Sequence, residues 1–275
     1  MILRKLERDI MPARVSVALS KLVAKIHDHP ALNNEFYSIW SQRKLTIEEL
    51  EIFVRNYGEW IKSFPDTLAL LFLTTQDPIA KAEYAKTLYS EMGCGDPNKV
   101  HWKLFDMFIA ELGEQLCETK RLERTELEKK LSLLKTTRQL IDGEKELYAN
   151  KNRGIAAGAQ LALEWHAYSM IAKLYEGSRV YLPLWTKSDG FHKACEYFYA
   201  HIAAAEKKHE KESLIAAAQY TKESSGFEKV VKGLNRHLDL IANFWDGIYR
   251  EIKNCITNYD YRPNINSITS LCFKG

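Results

Sequence analysis

The chain has 275 residues, with 39 Lys and Arg against 36 Asp and Glu. The resulting formal net charge of +3 is too small to predict binding to nucleic acid or to an anionic membrane. Only 13 glycines and 7 prolines occur, fewer than in an average protein, while 46% of the residues are apolar. This composition disfavours an all-β sandwich, a solenoid with glycine turns and a disordered chain.

Helical periodicity runs through almost the whole chain, and the prolines fall near its interruptions. The pattern predicts helices over 12–28, 31–42, 46–63, 66–74, 78–92, 98–117, 122–149, 153–177, 189–222 and 226–257. Thr46, followed three residues later by Glu49, predicts a capping box at the start of the third helix. No segment alternates with period two for long enough to form a sheet. We therefore predict an all-α fold in one domain over 1–275, with its core at 12–257 and an irregular tail at 258–275.

Targeting and cysteine patterns favour a cytoplasmic protein. The charged amino-terminal residues differ from a signal peptide, and the longest apolar run, 68–73, is far too short to span a membrane. The charge-dense segment 118–146 is expected to be a solvated helix face. Neither a disulfide framework nor a zinc knuckle is predicted, because the cysteines are odd in number and scattered. They are Cys94, Cys117, Cys195, Cys255 and Cys272.

Glutamate and histidine on otherwise apolar helical faces are candidate metal ligands, because a buried carboxylate is costly unless a cation pairs with it. Glu91 ends one predicted helix and His101 lies in the first turns of the next, with Gly93 and Gly95 between them. Such a corner can bring both side chains to one point. On this segment alone, a surface Glu91 and a His101 that only begins a helix remain the simpler interpretation.

A second candidate is Glu164, the single acid in a long helical stretch of Ala, Gly and Leu. The small residues at 156–159 allow a neighbouring helix or a ligand to approach closely. His166 points about 160° away from Glu164 by helix geometry, and we expect it to be a peripheral histidine. Trp165 and Tyr168 are candidates to border the site, although packing is the simpler explanation for both.

A third group lies on one later helix. Glu206 and His209 have the i, i+3 spacing by which helix bundles hold di-iron sites, and His201 lies about 80° from His209 around an ideal helix. The dense charge after Glu206 fits a solvated acid equally well. Glu59 and Asp66 come from the opposite wall and are left out of the predicted ligand set. Three glutamates and three histidines suit iron or manganese better than zinc.

In this order, the segments resemble the haem-oxygenase-like di-iron oxidases, which are helical relatives of thiaminase II and pyrroloquinoline-quinone synthase. The resemblance covers about residues 12–255 and includes the His-Pro segment at 26–32 and the Phe64-Pro-Asp corner. The motifs that carry it are Glu91, His101-Trp-Lys-Leu-Phe, Glu164 in its small-residue helix, and Tyr-Phe-x-x-His201 leading to Glu206-x-x-His209.

The resemblance implies a single helical bundle of the haem-oxygenase-like type that holds two Fe(II) ions, with manganese as an alternative metal. It implies an oxidoreductase that uses O₂, through a peroxo-diferric intermediate, to oxidise a small amino acid, amine or carboxylate. N-oxygenation, desaturation and C–C cleavage are the implied reaction types. The residues implied to act through the metals are Glu91, His101, Glu164, His201, Glu206 and His209.

One spacing departs from the family, because four residues instead of three separate His201 from the next acid. Ala205 therefore occupies the usual acid position. Either a helix bulge restores the geometry, or one of His201 and Glu206 does not bind.

Two other functions stay open from the sequence. A cofactor-free enzyme like thiaminase II would bind or hydrolyse a small heteroaromatic molecule and would need a nucleophilic cysteine. A non-catalytic helical interaction protein would keep the fold without chemistry. For partners, we expect a small-molecule substrate, no nucleic acid and no membrane, and a homodimer stays open.

Overall fold

The computed structural model describes residues 13–202, 204–222 and 225–260, with the side chains of 13, 14, 16, 204–209 and 256–260 left undescribed. Thirteen α-helices and three short 3-10 helices account for most of these residues, and none of the described residues lies in a β-strand. The predicted all-α fold class is confirmed.

The helices follow one another closely along the chain. In order they are α1 (Ala13–Ala24), α2 (Glu35–Gln42), α3 (Ile47–Thr74), α4 (Pro78–Glu91), α5 (His101–Leu116), α6 (Thr119–Leu122), α7 (Arg124–Lys130), α8 (Lys135–Tyr148), α9 (Arg153–Ser178), α10 (Ser188–Ala194), α11 (Glu196–Ile202), α12 (Ala204–Gln219) and α13 (Gly226–Asp260). The 3-10 helices are Lys25–Asp28, Gly93–Gly95 and Arg179–Leu184.

Local sequence determines where several of these helices begin. At α3, Thr46 Oγ1 accepts a hydrogen bond from the Glu49 backbone N–H at 3.3 Å, and Glu49 Oε2 accepts one from the Thr46 backbone N–H at 2.8 Å. The predicted capping box is therefore present. Asp77 caps α4 through two backbone N–H groups, and Pro78 occupies the first helical position, where its missing N–H is tolerated.

Helix α3 continues through Pro65, so the predicted break between residues 63 and 66 is wrong. A proline inside a helix removes one backbone hydrogen bond and normally costs about 3 kcal/mol. Here Phe64, Pro65 and Leu68 are all buried in the bundle. Burial of apolar surface contributes roughly 25 cal/mol per Å², and it offsets the cost of the missing bond.

Two other long predicted helices are interrupted. The predicted helix 122–149 is divided by the non-helical residues 131–134, and the predicted helix 189–222 is interrupted at Cys195. At the first interruption, the Leu134 backbone N–H donates to Asn56 Oδ1 at 3.0 Å, and Arg55 Nε donates to the Leu131 carbonyl at 3.1 Å. These bonds to α3 replace helical bonds, which periodicity alone does not record.

The charge-dense segment is held against α3 instead of forming only a solvated face. Arg121 on α6 pairs with Glu48 and Glu51 at 2.9 Å each, and Lys130 on α7 contacts Glu51 at 2.6 Å. Glu51 is only 2% exposed. Removing one cation from such a buried carboxylate is costly, so these pairs fix α6 and α7 in place.

Helix α9 packs along α13 and also contacts α2, α8, α11 and α12. Where α9 and α13 cross, a Cβ atom on Gly158 would lie 2.0 Å from the Val230 carbonyl oxygen, and one on Gly233 would lie 1.9 Å from the Ile155 carbonyl oxygen. The two backbones are therefore in direct contact. The small residues of α9 predict this kind of close approach.

Several further expectations meet the structure at its edges. In the ranges that are described, no helix is long and apolar enough to cross a bilayer. Cys94, Cys195 and Cys255 are free thiols and Cys117 is exposed, while Cys272 lies outside the described residues. Helix α13 runs to Asp260, three residues into the predicted tail at 258–275, and the remaining residues, 261–275, are not described.

Candidate metal centre

The corner between α4 and α5 brings the first two candidate ligands together. Glu91 is the last residue of α4 and His101 the first of α5. Gly93 has φ +72°, and a Cβ atom there would lie 2.6 Å from the Lys99 carbonyl carbon and 2.8 Å from the Val100 nitrogen. Only glycine combines this conformation with this close approach, so the turn closes tightly.

Closure of the corner places Glu91 Oε1 3.1 Å from His101 Nδ1. The ring of His201, from the last turn of α11, lies 4.3 Å from the His101 ring between centroids. One ligand atom from each of Glu91, His101 and His201 lies within 4.8 Å of the other two. Both histidines are buried and Glu91 is half-buried, so the three groups converge on a shielded point.

The orientation of His201 suits a metal ligand. Its Nδ1 lies 2.7 Å from the Tyr197 backbone carbonyl. Because a carbonyl oxygen can only accept, Nδ1 carries the proton and Nε2 keeps a lone pair. Donation from one ring nitrogen to a carbonyl is the arrangement that fixes the orientation and tautomer of metal-bound histidines.

Glu164 enters the same cavity from α9. Its side chain is buried, and its Oε1 accepts hydrogen bonds from Thr87 Oγ1 at 3.3 Å and from Gln160 Nε2. These donors hold the carboxylate in place. The structure therefore brings Glu91, His101, Glu164 and His201 to one cavity.

The cavity has a volume of ≈ 60 Å³, and most of its lining residues other than the four candidate ligands are apolar or aromatic. Tyr57 and Tyr197 form part of its wall, with their hydroxyl oxygens 2.5 Å apart. Burial raises the pKa of the Tyr57 hydroxyl well above its usual value. No Lys or Arg side chain of the described residues lines the cavity. Its apolar and aromatic lining comprises Tyr57, Trp60, Ile61, Phe64, Leu163, Ala167, Met170, Ile171 and Tyr197.

Glu206 and His209 complete the predicted ligand set. Both lie on α12, but their side chains are outside the described residues, as is that of Ala205. Their part in a metal site therefore stays a prediction, together with the effect of the extra residue after His201.

The other residues considered from the sequence lie away from the cavity. Glu59 pairs with Arg55 at 2.8 Å, and Asp66 is exposed. Trp165 donates to a backbone carbonyl of α12 at 3.1 Å. Neither Trp165 nor Tyr168 is among the cavity residues, and both are half-buried against neighbouring helices.

His166 does not line the cavity, as expected of a histidine that is peripheral to the site instead of a co-ligand, but it is fully buried. It faces α13 instead of solvent, and its ring lies 5.8 Å from that of His237. Its Nδ1 lies 2.9 Å from the Leu163 carbonyl, and burial lowers its pKa to about 4. Helix geometry correctly separates it from Glu164, since His166 does not line the cavity.

Sequence reasoning missed Glu144 on α8 and His237 on α13. Both are fully buried, and His237 Nδ1 lies 3.8 Å from Glu144 Oε1. Burial raises the pKa of Glu144 to about 8 and lowers that of His237 well below its usual value. Each residue occupies the apolar stripe of its helix, with leucine or isoleucine one turn before and after it. A titratable residue on an apolar stripe was the signal in the sequence that could have identified them as buried.

A family model described as "iron-containing redox enzyme" matches residues 52–242, a range that contains all six predicted ligands. The chain belongs to this family. The prediction of an iron-dependent oxidoreductase is thereby confirmed.

Named relatives of this iron-containing redox enzyme are synthases. It is 24% identical over 230 residues to 4-chloro-allylglycine synthase from Streptantibioticus cattleyicolor, and the aligned region covers 84% of this chain and 82% of the relative. It is also 30% identical over 94 residues to 4-aminobenzoate synthase from Chlamydia pneumoniae, which covers 34% of this chain and 42% of that protein.

A solved structure supports the fold. A domain of unknown function from Shewanella denitrificans with a heme oxygenase-like fold matches with a TM-score of 0.62 at 17% identity, covering 96% of this chain and 98% of that one. The predicted haem-oxygenase-like bundle is confirmed.

Proposed function

We propose that the protein is a non-haem di-iron oxidase or oxygenase that uses O₂ to oxidise a small amino acid, amine or carboxylate. The observation that carries this proposal is the convergence of Glu91, His101 and His201 at a cavity that Glu164 also enters. Family membership supports the iron. The names of the two relatives, an allylglycine synthase and an aminobenzoate synthase, support a substrate that carries an amine or a carboxylate.

The donor atoms fit iron. Imidazole nitrogens and carboxylate oxygens suit iron and manganese, whereas structural zinc favours thiolates or fewer ligands. His201 presents an unprotonated Nε2, and Glu164 is held by two donors. We assign Glu91, His101, Glu164 and His201 as ligands, with Glu206 and His209 added from α12. When bound, the iron supplies the electrons that activate O₂.

The chain's own residues have three tasks in this scheme. The corner at Gly93 holds Glu91 and His101 together, and the donors to Glu164 keep its carboxylate aimed into the cavity. The apolar wall excludes water from the oxidised substrate.

An anaerobic Fe(II) titration of the purified protein tests the proposal. The wild type should bind about two Fe(II) per chain, the number that six nitrogen and oxygen ligands with open positions support. The double variant His101→Ala, Glu164→Ala should lose this binding. Glu59→Gln, which changes an acid outside the cavity, is the matched control and should bind iron normally. Equal iron uptake by the double variant and the wild type would refute the proposal.

A single variant tests whether His201 binds metal despite the extra residue between it and Glu206. If His201 is a ligand, His201→Ala should lose iron while its free energy of unfolding in the metal-free state changes little. Full iron content in His201→Ala would show that the extra residue has displaced this ligand.

The cofactor-free alternative needs a nucleophilic thiolate. No cysteine among the residues that the structure describes lines the cavity. Burial raises the pKa of the Cys195 thiol to about 12, so this thiol stays protonated at neutral pH. A non-catalytic protein would fail the iron titration. Cytoplasmic location, the lack of nucleic-acid binding and the oligomeric state stay predictions.

A further inference from the structure

Trp60 connects the cavity to the buried pair Glu144 and His237. Its indole ring lines the cavity, and its Nε1 donates to Glu144 Oε2 at 2.9 Å. The other oxygen, Glu144 Oε1, lies 3.8 Å from His237 Nδ1. All three side chains are at most 2% exposed. The carboxyl group of Glu144 therefore stands between an indole N–H and an imidazole nitrogen.

This pair is unusual for a packed core. Within the described residues, Glu144 Oε1 and both ring nitrogens of His237 have no hydrogen-bond partner. Buried polar atoms without partners are costly. Buried ionisable groups that adjoin a cavity and whose pKa values are strongly shifted are candidates for a functional role.

The position of the proton on this pair follows from burial, which raises the pKa of Glu144 to about 8 and lowers that of His237 well below its usual value. At neutral pH one proton therefore resides on Glu144. Oε2 already accepts from Trp60, so the proton lies on Oε1, facing His237 Nδ1. In this state, the carboxyl can accept a proton at one oxygen while it releases a proton from the other.

A continuous series of aromatic rings joins Trp60 to the candidate ligands. Between ring centroids, His201 lies 4.7 Å from Tyr197, Tyr197 lies 6.4 Å from Tyr57, and Tyr57 lies 5.8 Å from Trp60. Trp245 lies at a similar distance, 5.7 Å, from Tyr57. Two buried indoles therefore adjoin the same tyrosine.

The two indoles differ in their N–H groups. One-electron oxidation makes an indole N–H acidic, so a stable product needs a proton acceptor nearby. Trp60 has the carboxyl group of Glu144 as that acceptor, whereas the group beside Trp245 is the phenol of Tyr37, which is a poor proton acceptor. The Tyr57 hydroxyl forms its hydrogen bond with another phenol, that of Tyr197, and not with a carboxyl group. Trp60 is therefore the ring of this group that is best placed to lose an electron and a proton together.

We propose that Trp60 is a redox-active residue that supplies one electron to the iron centre, while Glu144 and His237 take up its proton. The Trp60 indole would give up one electron, and the oxidised iron held by the candidate ligands would be reduced by one unit. The Nε1 proton passes to Glu144 Oε2, and the Oε1 proton passes to His237 Nδ1 when these two atoms, 3.8 Å apart at rest, close to hydrogen-bond distance. Because burial lowers the pKa of His237, this second transfer is readily reversed. The products are a neutral indolyl radical, a neutral Glu144 and a protonated His237, and return of an electron reverses each transfer. The oxidant comes from the iron chemistry of the proposed function, on which this inference rests.

Photo-oxidation of the full chain without iron tests the proton-coupled step independently of the metal site. A soluble ruthenium photo-oxidant should generate a neutral tryptophan radical in the wild type. The radical that forms on Trp60 should be absent in Trp60→Phe and present in the matched variant Trp245→Phe. The other four tryptophans are common to the two variants and contribute equally to their signals. Glu144→Gln still accepts the indole hydrogen bond but cannot take the proton. Glu144→Gln should therefore lose the Trp60 contribution to the radical yield, as Trp60→Phe does.

Exposure of the iron-loaded protein to O₂ without substrate tests the path to the metal. Freeze-quenched samples with ring-deuterated tryptophan should show a tryptophan radical by electron paramagnetic resonance in the wild type and in Trp245→Phe, and none in Trp60→Phe. Iron content is measured on the same samples. Iron bound without a tryptophan radical would overturn the inference alone, whereas failure to bind iron would refute the proposed function.

Two results of the photo-oxidation experiment would also overturn the inference. The first is an undiminished radical yield in Trp60→Phe, and the second is an unchanged yield in a folded Glu144→Gln. If Glu144→Gln does not fold, the wild type provides the test, since formation of its radical must slow in D₂O. A rate that is equal in H₂O and D₂O would exclude the proton transfer.

Discussion

The turn between α4 and α5 offers a quantitative test of how the candidate ligands are positioned. In Gly93→Ala, the new residue must adopt φ +72°, which costs an L-residue roughly 1–2 kcal/mol. Its Cβ would also lie 2.6 Å from the Lys99 carbonyl carbon, and overpacking of this kind costs roughly 1–3 kcal/mol. The free energy of unfolding should therefore fall by about 2–5 kcal/mol. Relief of the clash moves the chain that leads into His101, so iron affinity should fall about 10- to 100-fold, as when a ligand loses its support.

Gly95→Ala is the matched control for this substitution. Gly95 has φ +94°, but the nearest atom to a new Cβ is the Tyr89 hydroxyl oxygen at 3.7 Å. This variant carries the conformational strain without the clash, so it should lose roughly 1–2 kcal/mol and keep most of its iron affinity. Urea unfolding and anaerobic Fe(II) titration measure both quantities. Equal stability and equal iron affinity in the two variants would refute the reasoning.

Two further predictions concern stability. The pKa of Glu144 is raised to about 8 in the folded protein, against about 4.3 in the unfolded chain. The stability that Glu144 contributes is therefore fully present below pH about 4.3 and is lost as the pH rises through about 8. Compared with Glu144→Gln, the metal-free wild type should lose up to about 1.4 kcal/mol per pH unit between these values, and parallel pH profiles in urea unfolding would contradict the assignment. Thr46→Ala removes one side of the capping box at α3 and should lower the free energy of unfolding by about 1 kcal/mol without changing iron content, and an unchanged urea midpoint would show that the cap contributes nothing.

Sequence patterns predicted the parts of the fold that depend on neighbouring residues. The cap at Thr46 and the corner between Glu91 and His101 are set within a few residues, and both appear in the structure. The break predicted at Pro65 fails because burial of residues from distant helices decides whether that helix continues. Periodicity contains no information about such contacts.

The candidate site shows the same division. Glu164 is conspicuous in its own helix as an acid among small apolar residues, so its placement in a cavity could be anticipated. Glu144 and His237 also sit on apolar stripes, but each looks like an ordinary polar interruption until the packing of α8 and α13 places them 3.8 Å apart. The burial of His166 could not be predicted for a similar reason, since helix geometry gives the direction of its side chain but not the identity of the helix that covers it.

The crossing of α9 and α13 at Gly158 and Gly233 fixes a length in the molecule. Most helix pairs are held apart by side chains, whose rotamers can shift by several tenths of an ångström. Here the spacing is set by backbone atoms in contact, which have no rotamers to change. Glu164 lies less than two turns beyond Gly158 on the same helix, and metal sites tolerate ligand errors of only about 0.2 Å. The backbone contact at the two glycines thus fixes the position of the Glu164 carboxylate before any metal binds.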